Sequence, residues 1–293
     1  MIKKTLQFLL ATILYTVLLV LANAFLPFSQ GFKELGTSGD HTMTLLGMLI
    51  SSAWTCFAIT FVITHTCYSG KRLFLNLLFV FFFVQSFMTQ IETLFFGNAF
   101  AVLTKWDIIL IMLVGVFPLA GTIPLLIKFF QHKKGICEKP RIHYNEIALK
   151  LCVIGVIYLC VYMLFGYFVA WQFEELRLFY TGSPEKLSFM GQMANNLKTN
   201  PVIIPFQILR GILFGIAVLP IKNMVTRSKS SFITSVILIY LTTAIMLIIP
   251  NVLFPETVRI AHLIEMSTSM LVFGIIVGTI LWKNKEKTTS ERT

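Results

Sequence analysis

Two properties of the sequence predict an all-α polytopic membrane protein of about eight transmembrane helices. The first is composition: 56% of the 293 residues are apolar and only 13% are charged, whereas a soluble domain carries about 25% charged residues. So little charge cannot cover a water-facing surface. The second is that the apolar residues come in continuous runs of about 20, the length a helix needs to cross a hydrocarbon layer of ~30 Å. Continuous rather than alternating runs call for helices and not barrel strands. The runs lie near 5–27, 43–65, 73–96, 107–130, 147–171, 202–220, 232–250 and 258–282. Their connections are too short to hold a soluble domain, so 1–293 reads as a single transmembrane domain.

Taken in order, the first run follows Lys3 and Lys4 and closes on Ala22-Asn23-Ala24, the layout of a secretory signal with its small-residue cleavage site. Its apolar stretch from Leu6 to Leu21 is longer than most signal cores, which favours an uncleaved anchor. The third run carries Gln85, Thr89 and Glu92 on one helical face. The fourth holds Gly115, Pro118, Gly121 and Pro124. Proline removes a backbone donor and crowds the preceding turn, so this helix is expected to kink or break, as helices do at many transporter sites.

A basic loop, Gln131 to Asn145, separates two sets of four helices. The fifth run ends in Gln172, Glu174, Glu175 and Arg177. The connection beyond it contains Ser183-Pro184, expected as an N-cap and first-turn proline. Leu187, Met190, Ala194 and Leu197 follow at helical spacing and predict a short amphipathic helix on the outer membrane surface. The sixth run contains Gln207, Arg210 and Gly211-x-x-x-Gly215, and the eighth contains Gly274-x-x-x-Gly278. Small residues at that spacing admit close backbone approach, so the sixth and eighth helices are expected to pack together. Met112-Leu113-Val114 with Gly121-Thr122-Ile123 in the fourth run is echoed by Met270-Leu271-Val272 with Gly278-Thr279-Ile280 in the eighth. The echo raises the expectation of two related four-helix halves.

The net charge of +11 is unevenly placed. With the amino terminus inside, 17 of the 24 basic residues fall on the cytoplasmic side, which is the positive-inside pattern. Both termini are therefore expected in the cytoplasm of a cell, most simply bacterial, whose inner membrane carries the chain. The excess charge is expected to meet anionic lipid headgroups, and nucleic acid is not expected as a partner. Of five cysteines, Cys67 and Cys137 fall in cytoplasmic loops and Cys56, Cys152 and Cys160 in helices. No disulfide framework is expected from that distribution.

Ionisable groups inside apolar runs are costly and by default functional. Arg259, His262, Glu265 and Ser269 follow at spacings of three, three and four, one stripe of the eighth helix. Together with Gln85, Glu92, Gln207 and Arg210 they predict one outward-opening polar cavity. It would be lined by the third, sixth and eighth helices, with the end of the fifth at its mouth. Glu92 is expected to pair with Arg210, and Glu265 with Arg259 or His262. His262-x-x-Glu265, with Glu92 as a third group, has the ligand types of a zinc site. The simpler expectation is no metal and no cofactor, with His262 and Glu265 exchanging protons.

Gly36-Thr37-Ser38-Gly39 with the distant His262 loosely resembles the serine and histidine motifs of rhomboid intramembrane proteases, but the serine precedes the second run instead of opening a later core helix. Glu174-Glu175-Leu176-Arg177 is similar to the paired glutamates and arginine of CAAX-type proteases, but the arginine comes too early. Neither pattern is met. The expected function is transport of a small molecule or ion through the outer-half cavity. The alternatives are an intramembrane hydrolase or transferase acting on a lipid or peptide through His262 and Glu265, and a non-catalytic sensor, immunity or assembly subunit.

Overall fold

The computed structural model describes residues 2–36, 40–97, 102–131, 144–225, 228–250 and 253–282. Among them all regular structure is helical, and eight helices are long and apolar enough to cross a membrane. They are α1 (Ile2–Phe25), α2 (His41–His65), α3 (Gly70–Phe95), α4 (Lys105–Phe130), α5 (Tyr144–Gln172), α6 (Ile203–Met224), α7 (Lys229–Ile248) and α8 (Glu256–Leu281). The chain is a multi-pass membrane protein, with boundaries within about four residues of the apolar runs. Eight crossings bring both ends of the bundle to one face, here the proximal face. The opposite, distal face carries the connections after α1, α3, α5 and α7.

Local chemistry starts the helices where the chain needs them. Asp40 accepts from the amides of Thr42 and Met43 and caps α2. Thr104 and Asp107 form a capping box at the start of α4. Asp107 also accepts from the Ser29 amide at 2.8 Å and the Ser29 hydroxyl at 2.7 Å, which ties the connection after α1 to α4.

Two spans are irregular, and the irregularities touch. Helix α4 is interrupted at Gly115, three residues before Pro118, which has no N–H to offer the preceding turn. Helix α3 contains a π-helical turn, Phe83–Phe87, a distortion that often marks functional positions. A Cβ at Gly115 would lie 2.2 Å from the Ser86 hydroxyl, so only glycine lets the two meet.

Within the first four spans α1 packs on α4 and α2, and α3 packs on α4; within the last four, α5 packs on α8 and α6, and α7 on α8. The expected packing of α6 on α8 is not the one observed. Gly211 and Gly215 face α5, where a Cβ on Gly211 would lie 2.8 Å from the Gly155 Cα, and Gly274 and Gly278 face Ile237 and Ile233 of α7. The spacing announces a close contact, but it carries no information about the partner.

Cysteine chemistry also departs from expectation. Cys67, in the proximal α2–α3 connection, is disulfide-bonded, whereas Cys56, Cys152 and Cys160 are free. Pairing depends on Cα proximity in space, which sequence position does not show. Cys137, the basic loop residues from His132 to His143, Ser38 and the residues after Trp282 lie outside the described residues.

Candidate functional site

A cavity of about 1140 Å³ opens at the distal side and is lined by residues from all eight spans, most of them from α1, α3, α5 and α8, and from the connections between them. On its proximal side the bundle is closed by an aromatic cluster. The rings of Tyr158, Phe214, Tyr240 and Phe273 lie 5.0–6.0 Å apart in edge, tilted and stacked contacts, and the Tyr240 hydroxyl donates to the Phe214 carbonyl at 2.8 Å.

Two charged groups stand in the cavity wall. In the first, Arg210 donates to both carboxylate oxygens of Glu92, at 2.7 and 2.6 Å, the pairing expected from the sequence. A two-pronged guanidinium–carboxylate contact is among the strongest polar contacts available to a protein. Arg210 is 2% exposed and Glu92 28%, so the arginine is inside the wall and the carboxylate faces the space. Gln207, fully buried, accepts from Arg210 at 3.0 Å and does not line the cavity. Its place is behind the pair, holding the guanidinium in register.

The second group is a chain of three. The Tyr180 hydroxyl lies 3.0 Å from His262 Nε2, and His262 Nδ1 lies 3.5 Å from Glu265 Oε2. Burial first, and then the negative charges of Glu92 and Glu265, raise the Tyr180 phenol above its ordinary range, so it stays a donor. A phenol donating to Nε2 leaves the imidazole proton on Nδ1, aimed at the carboxylate; this tautomer is assigned from the hydrogen-bond network. Ser269, one turn further along α8, lines the same wall.

Gln85 sits in the π-turn of α3 and joins three other spans. It accepts weakly from the Tyr15 hydroxyl and donates towards Thr55 at 3.4 Å and Met246 Sδ at 3.0 Å. Its cavity-facing position depends on that turn, because a π insertion rotates everything before it relative to Glu92.

Several expected roles are redistributed. Arg259 does not reach Glu265: it donates to the Leu247 and Ile248 carbonyls and approaches Glu256 at 3.7 Å. The chain folds back after α7 close enough for backbone oxygens to take the guanidinium first, so Arg259 anchors the α7–α8 turn outside the cavity. Arg177 likewise holds backbone, donating to the Pro184 and Trp171 carbonyls, both at 2.7 Å. Gln172 accepts from Lys186, and Glu174 and Glu175 do not line the cavity. Among the described residues no three His, Cys, Asp or Glu side chains converge as metal ligands; Glu92 is already held by Arg210.

The amphipathic helix of the distal connection spans Phe189–Thr199, and its N-cap is Ser188, not Ser183. Residues 183–188 run without helix because Arg177 draws the Pro184 carbonyl towards itself. The helix does more than lie at the surface. Gln192, Asn195, Asn196 and Thr199 line the cavity, while Met190 and Leu197 are exposed on the other side. The apolar stripe predicts the surface position of this helix, and the carboxamide stripe opposite it, which enters the cavity, lies outside that expectation. Tyr158 and Tyr162, one turn apart on α5 and both in the wall, are likewise additions to the expected lining. Their spacing was the available signal.

No protein-family model, curated protein or solved structure matches this chain.

Proposed function

We propose that this protein is a small-solute transporter, one membrane domain whose binding site is the distal cavity. The observation that carries the reading is the combination of a large cavity open on one side, ionisable groups deep in its wall and an aromatic cluster closing the other side. A polar cavity within the bilayer is costly and is retained for a passing or reacting ligand. Transport requires the Tyr158–Phe214–Tyr240–Phe273 cluster to part while the distal helix Phe189–Thr199 closes.

Two related four-helix halves are part of the proposal, because rocking of repeats is a common route to alternating access. Packing supports it. The pairs α1–α4, α1–α2 and α3–α4 correspond to α5–α8, α5–α6 and α7–α8, and the cross-contacts α2–α7 and α3–α6 exchange with one another. The α2–α4 packing lacks a counterpart of similar extent, and α2 packs on α7 more extensively than α6 does on α3. Cavity-lining positions echo as well: Tyr15, Leu19, Asn23 and Ala24 of α1 have the spacing of Tyr158, Tyr162, Gly166 and Tyr167 of α5. Ser86, Thr89, Glu92 and Thr93 of α3 have that of Thr243, Met246, Ile249 and Pro250 at the end of α7.

For orientation the basic residues favour a cytoplasmic proximal face against anionic headgroups in a bacterial inner membrane. The Cys67 disulfide pulls the other way, since disulfides persist in oxidising compartments. The charge asymmetry is the weightier of the two, as it draws on most of the basic residues.

A second reading, an intramembrane enzyme, is favoured by the Tyr180–His262–Glu265 chain, whose imidazole is placed to take or give a proton. The test is a cysteine at Ser269 in a chain without its free native cysteines, treated with an impermeant thiol reagent from either side of oriented vesicles. Labelling from each side, one at the expense of the other, is the transporter result. Labelling from the distal side alone moves the assignment to the enzyme, and protection from both sides removes a ligand cavity altogether.

A further inference from the structure

We propose that the Glu265 end of this cavity binds a monovalent organic ammonium group, an inference that rests on the solute-binding reading above. Three acids near the distal side are largely removed from bulk solvent, and they differ in what fills their oxygens. Asp107 accepts from the amide and hydroxyl of Ser29 and the amide and hydroxyl of Thr104, at 2.6–3.0 Å. Glu92 takes both prongs of Arg210. Glu265, 9% exposed, has among the described residues one side-chain hydrogen-bond contact on its carboxylate, His262 Nδ1 at the 3.5 Å limit.

Charge counting reaches the same residue. The charged side chains lining the cavity are Lys33, exposed at its rim, and Glu92, Arg210 and Glu265 deeper in. Glu92 and Arg210 cancel. Lys33 lies at the rim, so deep in the wall Glu265 is the carboxylate with no Arg or Lys side chain against it among the described residues, in a place where an uncompensated carboxylate is costly.

The surroundings select the kind of cation. A hard metal ion is held by several oxygen ligands, usually with more than one carboxylate among them, and among the described residues no three His, Cys, Asp or Glu side chains gather there. The wall that Glu265 shares is rich in aromatic rings. Tyr158, Tyr162 and Tyr180 line the same cavity, and Phe254 and Tyr180 both pack on the His262 ring. Aromatic faces attract alkylated or primary ammonium ions, which carry less tightly held water than a metal ion. At about 1140 Å³ the cavity is somewhat larger than the roughly 300–1,000 Å³ of ordinary ligand pockets, so it has room for an organic solute.

The experiment uses the Ser269 cysteine, labelled from the distal side with and without tetramethylammonium or hexylammonium, and with hexanoate as the anionic control. Both ammonium ions are expected to slow labelling and hexanoate is not. In Glu265→Gln labelling persists, and the half-protecting concentration rises at least about tenfold, because a desolvated charge partner contributes more than one decade of affinity. Tyr162→Phe, which keeps the ring, retains protection, and Tyr162→Leu weakens it. Labelling that neither ammonium ion slows, or that both slow equally in Glu265→Gln, overturns the ammonium assignment and leaves the solute cavity standing. A Ser269 cysteine that never reacts, in the parent or in Glu265→Gln, overturns both.

Discussion

Glu92 and Glu265 line one cavity, yet their neighbourhoods are opposite in kind. Glu92 is matched by a guanidinium that is itself backed by Gln207, so every strong charge there has its partner within 3.0 Å. Glu265 faces an imidazole at 3.5 Å, which a phenol holds from behind. A matched ion pair fixes helices α3 and α6 relative to each other, although Arg210 Nε and Gln207 Nε2 have no hydrogen-bond partner among the described residues, and truncating one member leaves a charge stranded. An acid with no cationic side chain against it adds little to the fold and leaves binding capacity free for a ligand. The difference teaches that burial and charge alone do not mark a site. A carboxylate that faces the cavity without a matching charge does.

The contrast is broken most directly by Arg210→Met. Removing one partner of a buried pair costs about 3–5 kcal/mol, and water entering from the cavity to Glu92 should hold the loss to the lower end. Thermal unfolding in detergent should show a large fall in Tm, and the double change with Glu92→Gln should recover part of it. An unchanged Tm in the single variant would mean that the pair does not hold the bundle.

Next in size is Gly211→Ala. Its Cβ would lie 2.5 Å from the Tyr158 Cβ and 2.8 Å from the Gly155 Cα, so α5 and α6 must separate, at about 1–3 kcal/mol. Because Tyr158 and Arg210 move with those helices, accessibility of a Ser269 cysteine should change too. Stability lost with accessibility intact would uncouple the seam from the cavity. Tyr180→Phe should cost only about 1 kcal/mol, the worth of one hydrogen bond, while freeing His262 to change tautomer and protonation state. Its effect should therefore appear in ammonium protection rather than in Tm.

The smallest stability effect is expected of Glu265→Gln, a near-isosteric loss of a weakly partnered charge. Its stability should stay within the roughly 0.5 kcal/mol typical of uncoupled substitutions, so that Tm scarcely moves, with the binding change far larger. A drop comparable to that of Arg210→Met would place Glu265 among the structural ions and remove the contrast.

Much of this arrangement was legible in the chain. The spans follow from continuous apolar runs, the break in α4 from Pro118, and the Glu92–Arg210 contact from two opposite charges in runs that tolerate neither alone. Periodicity put His262, Glu265 and Ser269 on one face of α8, and they do share one cavity. Arg259 belongs to the same stripe, but the returning chain offered it two carbonyls, and backbone geometry of that sort leaves no trace in side-chain spacing. The GxxxG seams show the same limit: the motif states that a helix is approached closely and is silent on which neighbour approaches.

What the sequence by itself determined is one-dimensional: where the backbone must be helical to satisfy its own hydrogen bonds in lipid, and which few positions cannot face that lipid. Tertiary structure decided most of the meetings among those polar groups. It gave Arg259 to the Leu247 and Ile248 carbonyls, turned the carboxamides of Phe189–Thr199 into the cavity, and brought Tyr180 to His262 across 82 residues of chain. The reason is that hydrogen bonds and ion pairs act over about 3 Å, and distances that short are set by packing between helices.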